Sequence, residues 1–229
     1  MTDRRALLRR VVLFSSLSDE RLAVLEAGLR RHTYRSDTTI FHKGQDGDAL
    51  YLIESGRVRI FLQTEAGEEH TLALLGPTDF FGELALLDQL PRSASAEAVE
   101  DSVLYTLGRA DFQRELARAP DLAMALLAAL GARQRRMTEY TASLALQDVG
   151  GRLAHLLLDM AERHGHQEDG LVIDLHVTQA ELARMIGATR ERINRALAAF
   201  KAAGLIQMRG RRIVITSPQR LRGRMWRMS

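Results

Sequence analysis

Cysteine is missing from all 229 residues. That absence removes disulfides, thiolate zinc sites, iron–sulfur clusters and a cysteine nucleophile, and it fits a reducing compartment. No apolar run approaches the ~20 residues that a membrane span requires. Residues 1–10 are polar and Arg-rich and lead into no signal-peptide core; the expected address is the cytoplasm, with no membrane partner. Lysine is nearly absent too, since Lys43 and Lys201 are the only lysines among 32 basic residues. Arginine suits phosphate and base-edge recognition, though genome composition also produces so uniform a bias. What remains, 46% hydrophobic and 27% charged, is an ordinary globular chain, long enough for one large domain or two smaller ones.

The net charge is only +3, but it is unevenly distributed. Residues 149–229 hold 14 basic and 7 acidic side chains, whereas residues 1–148 hold 18 basic and 22 acidic. From residue 178 onward the balance is 12 basic to 2 acidic. A basic C-terminal module on a mildly acidic body is the footprint of a polyanion binder; a solubilising basic tail is the plainer alternative.

Residues 11–31 read as a helical lead-in with Ser18 as N-cap. From about residue 38 to 107, short β-branched and aromatic runs are separated by Gly-bearing turns: Leu50-Tyr51-Leu52-Ile53, then Val58, Ile60 and Leu62 in alternation, then residues 71–75 and 103–107. Such spacing predicts a β-sandwich or barrel. A long helix follows. Leu127, Gln134 and Thr141 fall at one heptad position, and Ala123, Leu130, Met137 and Leu144 at the other, which suggests a coiled-coil seam between two copies of the chain. A long helix packed on its own sandwich is the alternative. Gly150-Gly151 marks a boundary or hinge, followed by a helix over 152–163, a polar loop over 164–170 and a strand over 171–175.

The most specific local signal runs from Thr178 to Arg195. Thr178 with Glu181 forms a capping box, small Ala183 admits a second helix, Gly187 supplies a left-handed turn, and Thr189 caps the next helix. Ile193 and Leu197 fall on its buried face, leaving Arg190, Glu191, Asn194 and Arg195 outward. That pattern predicts a helix-turn-helix whose second helix reads DNA: Arg pairs with guanine, and Glu accepts from cytosine N4. The run Arg209-Gly210-Arg211-Arg212 between apolar strands reads as a hairpin with a basic tip, a wing for phosphates. A helical hairpin in a protein-binding module is the bland reading, and the basic face argues against it. Thr178 and the wing arginines Arg209, Arg211 and Arg212 join the expected DNA-facing set.

Phe81-Gly82-Glu83-Leu84 and Pro91-Arg92-Ser93-Ala94 flank a predicted short helix. Gly82 permits close backbone approach, the helix start offers free amides, Arg92 neutralises an anion and Ser93 adds a hydroxyl. Glu83 beside an anion makes sense if it accepts a hydroxyl proton. A phosphate next to a ribose hydroxyl suggests a nucleotide; a Gly turn with a surface Arg–Glu pair is the alternative.

Taken together, Phe81-Gly82-Glu83-Leu84, Pro91-Arg92-Ser93-Ala94, Asp148-Val149-Gly150-Gly151-Arg152 and Thr189-Arg190-Glu191 with Arg195 resemble the cyclic-AMP receptor protein (catabolite activator) family of bacterial transcription factors. The resemblance runs from about residue 13 to 215. It implies an α+β chain with a jelly-roll-like β-roll that binds cyclic nucleotide (1–120), a long central dimerisation helix (121–148) and a winged helix-turn-helix (149–229). It implies a homodimer that binds cyclic AMP, reads a palindromic, TGTGA-like site in double-stranded DNA, and engages RNA polymerase. Gly82 and Glu83 would hold the ribose, Arg92 and Ser93 the cyclic phosphate, with Leu84 in the same motif. In cyclic-AMP-responsive members a Thr and a neighbouring Ser or Asn approach the adenine; here the matching pair is Met137-Thr138, and Met137 cannot donate to a ring nitrogen. That departure keeps open a family member active without any ligand. No metal, haem or iron–sulfur cluster is expected: His32, His42 and His70 lack ligand spacing. A metal-dependent enzyme on a cupin barrel fails because the lone His-x-His, His164-Gly165-His166, lies outside the β-region.

Overall fold

Why Leu50-Tyr51-Leu52-Ile53 is apolar without a break becomes plain once its strand is placed. The computed structural model describes residues 4–168, 170–174, 178–210 and 212–225. Helices α1 (Arg4–Arg10) and α2 (Asp19–Gly28) come first. Ser18 caps α2, its side chain accepting from the Arg21 amide. The lead-in ends earlier than residue 31, because Arg30 and Arg31 pair with Thr106 and Tyr105 across a sheet. Next come β1 (Arg30–Tyr34), β2 (Thr38–Phe41), β3 (Ala49–Ser55), β4 (Val58–Gln63), β5 (Glu69–Leu75), β6 (Phe80–Phe81), α3 (Leu84–Asp88), β7 (Ser95–Ala98), β8 (Ser102–Gly108), α4 (Arg109–Arg118) and α5 (Pro120–Leu146). The strands form two antiparallel sheets, in the orders β1-β8-β3-β6 and β2-β7-β4-β5.

Successive side chains of a strand point to opposite faces. On β3, Leu50 and Leu52 enter a core shared with Leu8, Leu13, Phe14, Leu22, Leu25, Phe112 and Leu122, supplied by the helices and the chain between them. Ile53 enters the core between the sheets with Val58, Leu75, Phe81, Ala96 and Leu104, and Tyr51 packs against it. A strand covered on both faces has no polar side to show. The β-roll of the resemblance is therefore present, with a helical layer behind one sheet.

On α5, Leu122 and Leu126 are buried and Leu130 packs against the same core, while Leu127 is 61% and Met137 48% exposed, with Leu144 also exposed. Two residues of the expected seam also make contacts within this one copy. Leu130 turns inward, and the Thr141 hydroxyl donates to the Met137 carbonyl at 2.9 Å within its own helix. Contacts divide the chain into two units, Met1–Gln134 and Arg135–Ser229.

The second unit holds α6 (Val149–His164), β9 (His166–Glu168), β10 (Gly170–Asp174), α7 (Gln179–Ile186), α8 (Arg190–Ala202), β11 (Ile206–Arg209), β12 (Arg212–Ile215) and α9 (Pro218–Arg222). Its sheet runs β11-β12-β10-β9. Two expectations are corrected. Gly150-Gly151 is no break between elements: it lies in the first turn of α6, where Asp148 Oδ1 accepts from the Gly151 amide at 2.7 Å. The polar loop expected over 164–170 contains β9, which pairs antiparallel with β10 through His166 and Val172; ladder hydrogen bonds rather than apolar content order it. The strand expected over 171–175 is β10, with Leu175 outside the described residues. Among the described residues, no helix is long and apolar enough to cross a membrane.

Candidate ligand site and nucleic-acid interface

Antiparallel pairing sets Tyr51 of β3 opposite Phe81 of β6, and the chain leaves β6 straight into Gly82. There φ is +82°, and a Cβ would fall 2.5 Å from Arg92 Nη1. Only glycine lets that strand end lie against the guanidinium. Arg92 is 4% exposed. Its Nη1 donates to the Gly82 carbonyl at 2.7 Å and its Nη2 to the Ala49 carbonyl at 2.9 Å. Its backbone is tied both ways to the turn after β2, with Gly44 N donating to Arg92 O and Arg92 N donating to Gln45 O. A Cβ on Gly47 would stand 2.7 Å from Arg92 Nε. Burial lowers the Arg92 pKa from its ordinary value, opposed by Tyr51, Asp48 and Glu83 and reinforced by Arg109.

Glu83, the residue before α3, is 2% exposed. Its Oε1 is ion-paired with Arg133 Nη1. Arg133 Nη2 donates to the Phe80 carbonyl at 2.5 Å, and its guanidinium lies 4.6 Å from the Phe80 ring centroid. Sequence reasoning missed Arg133. The signal was there: it falls seven residues after Leu126 and three after Leu130, a charge continuing the buried face of α5.

Within this site two buried atoms, Arg92 Nε and Glu83 Oε2, have no hydrogen-bond partner. An unpaired buried donor and acceptor are costly, so a site that keeps one of each fits a ligand bringing both an anion and a hydroxyl. The alternative of a surface Arg–Glu pair fails, because both residues are buried and each bonds elsewhere. Ser93 is exposed next to Arg92, and Leu84, which opens α3, is exposed as well. Met137 and Thr138 lie on α5 in the second unit, both exposed.

In the second unit the Thr178 hydroxyl accepts from the Glu181 amide at 3.2 Å and starts α7. Gly187 ends it at φ +62°, its amide donating to the Ala183 carbonyl. Just beyond that turn, the Thr189 side chain caps α8 by accepting from the Arg192 amide. Ile193, Leu197 and Phe200 face the core of this unit, while Arg190, Glu191, Asn194 and Arg195 are exposed. These four side chains thus stand on the outward face of α8, as their spacing predicts. β11 and β12 form the wing hairpin, with Gly210 at φ +63° and Arg209 paired opposite Arg212. Arg212 Nη1 stands 3.9 Å from Glu168 Oε1 on β9. Arg211 lies outside the described residues.

Known proteins agree with this division. Residues 31–119 match the cyclic nucleotide-binding domain, and residues 151–224 the Crp-like helix-turn-helix domain. The chain is 36% identical over 216 residues to the CRP-like cAMP-activated global transcriptional regulator of Mycobacterium tuberculosis, covering 94% of this chain and 96% of that one. It is 37% identical over 196 residues to the cyclic AMP receptor protein of Thermus thermophilus, covering 86% and 88%. Among solved structures, the c-di-GMP responsive global regulator CLP of Xanthomonas campestris matches with a TM-score of 0.72 at 26% identity, over 87% of this chain and 100% of that one. With a β-roll that keeps a buried cation and carboxylate, followed in sequence by a winged helix-turn-helix, the chain belongs to the CRP family of transcription regulators.

Proposed function

We propose that this regulator is a homodimer that binds a cyclic nucleotide, cyclic AMP in the first place, and then reads a palindromic, TGTGA-like DNA site. The observation that carries the ligand reading is the pair of buried atoms left without partners, Arg92 Nε and Glu83 Oε2. A cyclic phosphate supplies the anion for Arg92, with Ser93 at hand, and a ribose hydroxyl donates to Glu83. Gly82, which lies against the Arg92 guanidinium, would join Glu83 on the ribose side, with Leu84 alongside. Similarity to the cAMP-activated regulator of Mycobacterium tuberculosis supports cyclic AMP, and similarity to the c-di-GMP responsive regulator of Xanthomonas campestris supports testing other cyclic nucleotides beside it. Met137 and Thr138 are the positions at which base preference would be tuned.

Exposed Leu127, Met137 and Leu144 on α5 support the homodimer, since one copy leaves them in water. We assign ligand binding to residues 1–120, dimerisation to 121–148 and DNA binding to 149–229. Two recognition helices related by a dyad would enter major grooves one helical turn, ~34 Å, apart. Arg190, Glu191, Asn194 and Arg195 read bases, and Thr178, Thr189, Arg209, Arg211 and Arg212 hold phosphates. RNA polymerase is the protein partner of such a regulator, and the cytoplasm its place of action.

Calorimetry with cyclic AMP, cyclic GMP and cyclic di-GMP, with and without operator DNA, tests the proposal. Coupling between sites is reciprocal, so DNA should tighten the effector by the factor by which the effector tightens DNA. Absence of binding by all three nucleotides would overturn the ligand reading. Equal nucleotide affinity with and without DNA would favour a regulator active without ligand.

A further inference from the structure

Arg92 is held by more than its two carbonyls. Its Cζ lies 4.4 Å from the Phe41 ring centroid and 5.6 Å from that of Tyr51. Tyr51 stacks on Phe81 at 4.9 Å with the planes 12° apart, and Phe41 stands 5.6 Å from Tyr51 and 5.9 Å from Phe81. These rings come from three strands, β2 in one sheet and β3 and β6 in the other, so both sheets converge on one guanidinium. An arginine on a flexible stem has many rotamers to lose on meeting an anion. One whose plane lies against a ring, whose Nη atoms are spent on fixed carbonyls and whose Nε edge abuts Gly47 has already lost them.

Resting on the cyclic-nucleotide reading of the site, we infer that Phe41 is a positioning residue, whose ring fixes the Arg92 guanidinium so that one edge alone serves the phosphate. The interaction is a cation–π contact in a desolvated place, where such contacts are strongest. Phe41 lies against the arginine, so its removal should loosen discrimination between the two exocyclic phosphate oxygens along with affinity. Tyr51 and Phe81 buttress the ring from the opposite sheet.

The Rp and Sp phosphorothioates of cyclic AMP replace one or the other of those oxygens by sulfur, and the ratio of their affinities reads how rigidly the cation is aimed. Cyclic AMP and the two analogues are titrated into wild type, Phe41→Leu and Phe41→Tyr, with thermal midpoints recorded for the ligand-free proteins. Phe41→Leu should weaken cyclic AMP about tenfold, about 1.4 kcal/mol, and move the Rp/Sp ratio toward one. Phe41→Tyr, which keeps the ring, should restore both values. A Phe41→Leu protein that loses affinity for all three ligands equally, with its ratio unchanged, has lost only packing and overturns the inference. A wild-type ratio near one overturns it too. Wild type that binds none of the three removes the cyclic-nucleotide reading and this inference together, an outcome distinct from a changed variant on a binding wild type.

Discussion

The two units place their charged residues in opposite ways. In the β-roll, Arg92 and Glu83, the proposed ligand holders, are among the most buried polar side chains of the described residues, at 4% and 2% exposure, and each is bonded within its own unit. In the winged unit, Arg190, Glu191, Asn194, Arg195, Arg209 and Arg212 are all exposed. A small ligand must be surrounded, and its one charge met in a desolvated site where a cation counts for most. A duplex is far larger than the domain that would read it and is approached from one side, so the proposed contacts stand exposed on α8 and on the β11–β12 hairpin. On the proposed reading, burial would serve selectivity in the first unit and exposure would serve reach in the second.

That contrast can be broken most sharply at Arg92. Arg92→Leu should reduce cyclic-nucleotide affinity at least about 100-fold, about 3 kcal/mol, as calorimetry would measure. It should also lower the thermal midpoint, since the carbonyls of Gly82 and Ala49 lose buried donors. Retained affinity would relocate the pocket. Next in size is assembly. Leu130 packs inward, so the clean test is the double variant Leu127→Glu and Met137→Glu. We expect wild type to sediment as a dimer at micromolar concentration and the variant as a monomer, with operator affinity falling alongside.

At the reading face, Arg195→Ala should cost about 1–3 kcal/mol per half-site and relax the preferred base at one position. A binding-site selection returning the unchanged wild-type motif would take Arg195 out of the reading set. Thr189→Ala removes the cap of α8 and should lower stability by about 1 kcal/mol, read from urea unfolding. Smallest is the wing. Arg209→Ala or Arg212→Ala should weaken every DNA sequence alike and reduce the slope of log affinity against log salt by about one unit each. A changed sequence motif would instead show the wing reading bases.

How far these sites were legible depended on range in sequence. Thr178, Gly187 and Thr189 work within three or four residues of themselves, so capping and turn chemistry placed both helices of the DNA-binding motif and, with them, its outward face. The turn from Gly82 to Arg92 spans ten residues, and its residue types alone suggested an anion and a hydroxyl. Arg133 was invisible to that reasoning because it meets Glu83 across fifty residues. Phe41 and Tyr51 were equally hidden, as ordinary strand aromatics whose target is set by two sheets closing on each other. The Gly150-Gly151 pair misled for the converse reason: glycine weakens a helix interior, yet the first turn of α6 tolerates it under the Asp148 cap, and a Cβ on Gly151 would come 3.0 Å from the Met225 carbonyl. β9 escaped notice because its burial is low throughout, and only the ladder with β10 orders it.

By itself, then, the sequence determined whatever short-range rules govern: the alternation of the β-roll strands, the caps and turn of the helix-turn-helix, the basic excess of the last 52 residues, and the residue types of the ligand loop. Tertiary structure alone decided which charges are buried, which of their hydrogen-bonding atoms stay unspent, and which ring lies against which cation. Those outcomes depend on segments far apart in the chain meeting at distances of a few ångströms, and no local propensity encodes a meeting.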